Sequence, residues 1–348
     1  MDNTGRILVV RVGALGDMLM VTPLLRALHH RYAEAEIDLL ASSLAAPLLE
    51  FNPHLKNLFS LRNRNWPLVL SPEKQRLIER LRARQYDLAV LLEEAPHYRR
   101  LIQRVLPRRI ASFSEAPFDA AQHAIVNNLR VAGLQAGPAE DLDMELPLTA
   151  DELATAERML QDLPKPRIGV HIGWGPLGRK KRQEQRLRGW GHSNFVQLIS
   201  SILERYSGSV LLTGSSQDAK DTEPICRLLA NQRLRSIAGR THVRELAAVI
   251  KKLDLLVSVD SGPCHMAAAL GTPLVVLWGP GRLEQTRPIS SIAPIRIVRH
   301  QVPCAPCQST PMQKACRQNI CMEGITPGEV FAEIELLNRR MSNKEYRI

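Results

Sequence analysis

The chain has 348 residues with 45% hydrophobic and 23% charged content, which excludes disorder along its length and fits two domains or one large one. Lys and Arg number 46 against 35 Asp and Glu, and the net charge of +11 calls for an anionic partner: nucleic acid, an acidic membrane surface or an acidic small molecule. Aromatic residues make up 4%, too few for the stacking platforms of a single-strand nucleic-acid binder, and no heptad is sustained.

The predicted elements alternate. Arg6–Val12 reads as a buried strand, Gly13–Gly16 as a tight turn, and residues 17–30 as one helix with Met18, Val21, Leu24, Leu25 and Leu28 on its apolar face. Strands are predicted at 36–41 and 87–92, with a helix at 73–84 between them. Gln135–Leu148, rich in Gly, Pro and acid, reads as an interdomain linker. A helix over 150–163 leads into a second series. Its strands fall at 167–173, 209–214, 255–260, 273–279 and 296–298, and its helices at 194–206, 218–229, 243–253 and 262–270. A last helix, 327–341, opens with Thr326, Pro327 and Glu329, a capping-box start. Strands alternating with helices predict an α/β fold with parallel sheets. The expected domains are residues 1–150 and 151–325, with 326–348 a C-terminal helix packing back across them. Sheets of this kind bind ligands at the carboxyl ends of their strands.

The longest apolar run, Met266 to Gly279, is about 14 residues and is broken by Gly271 and Pro273, whereas a membrane span needs about 20. Ile7–Val12 is too short for a signal peptide and contains Arg11. A cytoplasmic protein is expected. In a reducing compartment Cys226, Cys264, Cys304, Cys307, Cys316 and Cys321 are thiols or metal ligands before they are disulfides. The spacing Cys304-x-x-Cys307 suits a zinc knuckle, whereas Cys316 and Cys321 fit one less well, so zinc and free thiols both stay open.

Two motifs carry most of the chemistry. In Arg11-Val-Gly-Ala-Leu-Gly-Asp17, a strand turns into a helix, and the glycine spacing is not that of the dinucleotide fingerprint. Asp17 stands where a helix cap would, or it is a general base, with Gly16 beside it. In Val257-Ser-Val-Asp-Ser-Gly-Pro-Cys-His265, Asp260 ends a strand, and Ser261, Gly262 and His265 place donors at a helix start suited to a pyrophosphate. The plainer alternative has Asp260 capping that helix and His265 packed. A Cys264–His265 catalytic pair is disfavoured, because adjacent residues on a helix point apart. Gly173-Trp-Gly-Pro-Leu-Gly178 matches a dinucleotide fingerprint literally, but Arg179–Arg188 follows instead of an apolar-faced helix. Residues 174–190 therefore read as an exposed basic loop, either solvated or a clamp for phosphates. Asp141-Leu-Asp143 matches a metal motif but falls in the linker.

The opening Gly-Ala-Leu-Gly-Asp17 with Thr22-Pro23, then His171 and Gly173, Trp190, Leu212-Thr-Gly214, Asp260-Ser-Gly-x-x-His265, Leu277-Trp-Gly-Pro280 and Cys321-Met322 occur in a family order. Over nearly its whole length the chain resembles glycosyltransferase family 9, the lipopolysaccharide heptosyltransferases and their relatives. The resemblance implies a GT-B fold of two Rossmann-like domains facing a cleft, the N-terminal one for the acceptor and the C-terminal one for the nucleotide sugar. It implies inverting transfer of a heptose from ADP-heptose to an anionic lipopolysaccharide inner core, with no metal ion and no cofactor. It places the base at Asp17 and the pyrophosphate motif at Asp260, Ser261, Gly262 and His265. The family's basic residue before the tryptophan matches Arg188. Its nucleoside-binding acid, after the turn at Gly214, matches Asp218, a shorter side chain than the usual Glu. Alternatives are a family member with another nucleotide sugar or acceptor and, more remotely, a non-catalytic nucleotide- or nucleic-acid-binding protein. Under the resemblance the +11 charge goes to a diphosphate and an anionic glycolipid, with salt-sensitive association at the inner face of the inner membrane and no nucleic acid.

Overall fold

The computed structural model describes residues 4–62, 67, 70–173 and 188–342. The chain divides into two compact units, Met1–Pro147 and Leu148–Ile348.

The first unit is a five-stranded parallel sheet in the order β3-β2-β1-β4-β5. Its strands are β1 (Arg6–Val10), β2 (Glu36–Ser42), β3 (Asn57–Leu61), β4 (Leu88–Leu91) and β5 (Arg109–Ser112). Ile7, Leu8, Val9 and Val10 are fully buried, as a parallel strand covered on both faces requires. The helices are α1 (Leu15–Leu19), α2 (Thr22–Arg31), α3 (Pro72–Arg82), α4 (Pro96–Val105) and α5 (Ala124–Val131). One core forms where Leu77, Ile78 and Leu81 of α3 and Tyr98, Leu101, Ile102 and Val105 of α4 meet the sheet.

The single helix expected over 17–30 is two helices. Pro23 has no N–H to give the Leu19 carbonyl, and its ring would clash with that oxygen. The Thr22 hydroxyl donates to the Leu19 carbonyl instead, at 2.8 Å. The segment read as a linker is tied into the first unit. Arg26 donates to the carbonyls of Asp141 (2.7 Å) and Asp143 (3.1 Å) and to the Glu145 carboxylate (2.7 Å). Asp141-Leu-Asp143 thus presents backbone oxygens to an arginine.

The second unit is a six-stranded parallel sheet in the order β11-β10-β9-β6-β7-β8. Its strands are β6 (Arg167–His171), β7 (Ser209–Thr213), β8 (Leu234–Ser236), β9 (Leu255–Val259), β10 (Leu274–Leu277) and β11 (Ile295–Val298). Its longer helices are α6 (Ala150–Leu160), α7 (His192–Arg205), α8 (Ala219–Leu229), α9 (Val243–Lys251), α10 (Gly262–Leu270) and α11 (Pro327–Ser342). The C-terminal helix α11 clusters with this unit. Its Val330, Ile334 and Leu337 join the core around Trp190 and Phe195. The Trp190 indole donates to the Ile325 carbonyl at 2.7 Å, which fastens the start of α11.

Both strand orders contain a switch point. In the first sheet the chain moves outward from β1 to β2 and β3, then returns to add β4 and β5 on the other side. In the second it runs from β6 to β7 and β8, then returns with β9, β10 and β11. Adjacent loops part at such a point and leave a crevice at the carboxyl ends of the strands. The loops after β1 and β4 meet this description, and so do those after β6 and β9.

Candidate active site

In the first unit the switch point holds Arg11, Asp17 and Glu93. Asp17 accepts from Arg11 Nη2 at 2.7 Å and from the Ala14 backbone N–H at 2.9 Å. It is therefore not the cap of α1: it is the third helical residue and reaches back to the position where the cap, Ala14, has no side-chain acceptor. Arg11 is anchored by the Leu92 carbonyl at 2.7 Å, and Glu93 lies 3.9 Å from it. Burial works against the Arg11 charge, but Asp17 and Glu93 outweigh it and hold the guanidinium above its ordinary range. Glu93 also accepts from the Val12 N–H at 2.7 Å. A Cβ on Gly13 would lie 2.5–2.8 Å from three Asp17 atoms, so only glycine lets the carboxylate fold over the turn. Gly16 is buried within α1. Glu93 escaped the sequence reading, although Glu93-Glu94 at the end of an apolar strand was the available signal.

In the second unit the switch point holds Arg188 and Asp260, joined by an ion pair of 3.1 Å. Burial pushes the Asp260 carboxyl up, and Arg188 opposes that push. Asp260 does not cap α10; the cap position is Ser261, whose hydroxyl turns back to the Val259 carbonyl at 3.0 Å. A Cβ on Gly281 would lie 2.7 Å from an Asp260 oxygen, so the loop after β10 also closes on this carboxylate through a glycine. Gly262 begins α10, and His265, one turn in, is buried. Each unit thus sets a carboxylate, an arginine and a close-approaching glycine at its switch point.

A family model for glycosyltransferase family 9 (heptosyltransferase) matches residues 109–316. The chain belongs to glycosyltransferase family 9. This glycosyltransferase is 28% identical over 282 residues to lipopolysaccharide heptosyltransferase 3 of Escherichia coli, covering 76% of this chain and 80% of that one. It is 27% identical over 327 residues to lipopolysaccharide heptosyltransferase 2 of Escherichia coli K12, covering 84% and 88%. Its fold superposes on E. coli ADP-heptose LPS heptosyltransferase II with a TM-score of 0.77 at 23% identity, covering 97% of this chain and 99% of that one. The family 9 glycosyl transferase from Veillonella parvula gives 0.80 at 18% identity, covering 97% and 98%. The architecture is GT-B, two Rossmann-like α/β units.

Asp218, which the resemblance matches to the nucleoside-binding acid, sits at the turn after β7. The carboxylate is buried, accepts from the Ser215 N–H (2.6 Å) and hydroxyl (2.7 Å), and presses against Gly173. Gly214 stands in the same turn, and its carbonyl accepts from the Gly239 N–H at 2.9 Å. Beside them His171 shares a 2.9 Å hydrogen bond with Thr213. Burial pushes this histidine down to about 4 against the pull of Asp218, so it is neutral at pH 7.

Among the described residues, the group whose donor atoms come within 4.8 Å of one another is Asp260, Cys264 and His265. Two of its members are already engaged: Asp260 pairs with Arg188, and the Cys264 thiol, kept protonated by burial, donates to the Ser261 carbonyl at 2.8 Å. All six cysteines are free thiols. Cys307 and Cys321 flank the Gly279–Pro280 turn, and burial, then the neighbouring loop thiols, push Cys321 up to about 11. Among the described residues the four loop thiols do not form a group of that spacing. Residues 174–187 of the basic loop lie outside the described residues.

Proposed function

We propose that this glycosyltransferase moves a heptose from ADP-heptose to an anionic lipopolysaccharide inner-core acceptor, with inversion and without a metal ion. The acceptor hydroxyl attacks the anomeric carbon. A new C–O bond forms there as the bond to the diphosphate oxygen breaks, and ADP leaves. Asp17 takes the hydroxyl proton. The Arg11 cation keeps that carboxylate ionised and weakens it as a base, so the proton moves late, as charge develops on the attacking oxygen. The leaving diphosphate is stabilised by Arg188 and by the N–H groups that open α10, with Asp260 fixing the guanidinium and His265 a further donor. One preorganised donor of this kind contributes about 3–4 kcal/mol to the transition state, and general base catalysis about 10²–10⁴-fold. Asp218 acts by shaping the Ser215 turn against Gly173.

The observation that carries this reading is Asp17 at the β1/β4 switch point, with one oxygen on Arg11, the other on a backbone N–H, and 31% of its side chain exposed. A carboxylate needed only to close a turn does not require a half-buried arginine anchored on a second loop. The relatives named for lipopolysaccharide heptosyl transfer support the choice of donor and acceptor. A panel of nucleotide sugars offered with an inner-core acceptor tests it. The product should gain the mass of one heptose from ADP-heptose, with inverted anomeric configuration. Transfer from another donor alone, or retained configuration, would overturn it.

A further inference from the structure

The loop between β5 and α5, residues 113–123, leaves the carboxyl end of the first sheet, where Asp17 also stands. It is longer than the about two to six residues usual between a strand and a helix. Long connections packed by their own contacts are frequently functional. Aromatic residues are scarce in this chain, yet two of its six phenylalanines, Phe113 and Phe118, lie in this loop. Their rings meet edge to face with centroids 5.6 Å apart. Phe113 is half-buried, and Phe118 is 36% exposed.

Polar side chains hold the loop on both sides of this pair. Arg99 of α4 donates to the hydroxyls of Ser112 (3.0 Å) and Ser114 (2.8 Å) and to the Glu115 carboxylate (3.2 Å). The Ser112 hydroxyl donates to Glu115 as well. The N–H groups of Glu115 and Ala116 donate to the Ser112 carbonyl at 3.1 and 3.0 Å. Beyond Phe118, the buried Asn127 of α5 accepts from the Asp119 N–H at 2.8 Å and donates to the Asp119 carbonyl at 2.9 Å. A loop needed only to join β5 to α5 does not require two helices to fix an exposed ring in place. Order of this kind lowers the entropy cost of binding at the rings.

We propose that Phe113 and Phe118 form a stacking platform for an uncharged sugar ring of the acceptor, a step that rests on the glycan acceptor of the reading above. The C–H face of a pyranose is apolar and carries partial positive charge, so it packs on the negative face of an aromatic ring. Glu115 and Asp119 flank the pair with side chains 52% and 42% exposed. Their oxygens accept from sugar hydroxyls and repel a sugar acid. β5 lies two strands from β1, about 10 Å across the sheet, which a short oligosaccharide spans between the platform and Asp17. A lipid acyl chain fits less well, because it would desolvate the two carboxylates and give them no partner.

The test uses the full-length enzyme with a de-acylated, water-soluble inner-core oligosaccharide that contains an uncharged sugar. Phe118→Ala should raise the acceptor KM about tenfold, with kcat within about twofold and donor affinity unchanged. Phe118→Tyr, which keeps the ring, should retain the wild-type KM, whereas Phe118→Leu, apolar without a ring, should not. Phe51→Ala, the same truncation at another exposed ring of the unit, should leave KM unchanged. An unchanged KM in Phe118→Ala would overturn the platform, as would an equal rise in Phe51→Ala or a wild-type KM in Phe118→Leu. So would a loss seen only with acylated acceptor in vesicles, which would assign the rings to lipid. Saturation-transfer NMR of methyl mannoside, an uncharged pyranose, reads the platform without turnover. Weaker transfer to the sugar is expected in Phe118→Ala, and transfer equal to wild type would overturn the platform. Failure of the wild-type enzyme to elongate the oligosaccharide would instead overturn the heptosyl-transfer reading, and the NMR comparison would still decide the platform.

Discussion

Arg11 and Asp17 face each other across the turn that leaves β1, with Nη2 and Oδ1 2.7 Å apart. The pair couples two loops, because the other terminal nitrogen of Arg11 holds the Leu92 carbonyl after β4. Asp17 is therefore oriented by a group whose own position both sides of the switch point fix.

Arg11 should behave as a positioning residue. Lysine cannot span the Leu92 carbonyl and the carboxylate together. Arg11→Lys should lower kcat about tenfold, and Arg11→Met further. A carboxylate that loses an adjacent cation titrates at higher pH. The acid limb of the rate–pH profile should therefore move upward in Arg11→Met. An acid limb that stays in place would show that Arg11 does not act through Asp17.

Gly13→Ala tests the close approach in the same turn. Its Cβ would meet Asp17 at 2.5–2.8 Å, so the turn or the carboxylate must shift. A displacement near 1 Å at a reacting group can cost about 10²-fold. We expect kcat to fall by that order with donor affinity nearly unchanged, since Gly13 and the proposed donor residues lie in different units. A loss of donor affinity with kcat intact would contradict this.

Arg188 and Asp260 should be non-additive. Arg188→Met takes a cation from a carboxyl that burial already pushes up, and Asp260→Asn removes the charge that orients Arg188. Breaking one side of a buried pair costs about 3–5 kcal/mol, whereas removing both costs less than the sum. Thermal unfolding of the two single variants and the double variant, with donor titration by calorimetry, reads both effects. Weakened donor binding is expected in all three; additive losses of stability would argue against a coupled pair.

Stability should depend on Glu152 at low pH. This glutamate completes the capping box of α6 behind the cap Thr149, accepts from Arg244 of α9 at 2.5 and 2.7 Å, and is held below the usual carboxylate range, first by Arg244 and against its burial. A carboxylate depressed in the folded state stabilises above its unfolded pKa, about 4.3, and the gain disappears as pH falls through the folded value. Glu152→Gln should cost about 1–3 kcal/mol at pH 7. The difference from wild type in urea unfolding should shrink below pH 4.5. A difference independent of pH would place the effect in packing.

Much of this was legible in the sequence. The β1 and β9 motifs announced both switch points, because a buried strand that ends in glycine and a polar cluster has few other uses. Three strands were not. Asn57–Leu61 and Arg109–Ser112 are edge strands with exposed polar residues, and Leu234–Ser236 has three residues. The helix Pro96–Val105 was also missed: its apolar period of Tyr98, Leu101, Ile102 and Val105 is regular, but four of its ten residues are His or Arg. Asp17 does help to cap α1, from the third helical position by way of the Ala14 N–H, whereas Asp260 does not cap α10. Spacing locates a carboxylate near a helix start, but the arginine that it also meets comes from elsewhere: Arg11 lies six residues back, Arg188 seventy-two.

Asp17→Asn, assayed in a single turnover from ADP-heptose with donor binding measured separately, tests the central claim most directly. The side chain keeps its size and one acceptor oxygen but cannot take a proton. Donor affinity should stay within about twofold and the rate of sugar transfer should fall about 10²–10⁴-fold. Transfer at the wild-type rate with normal donor binding would contradict Asp17 as the base.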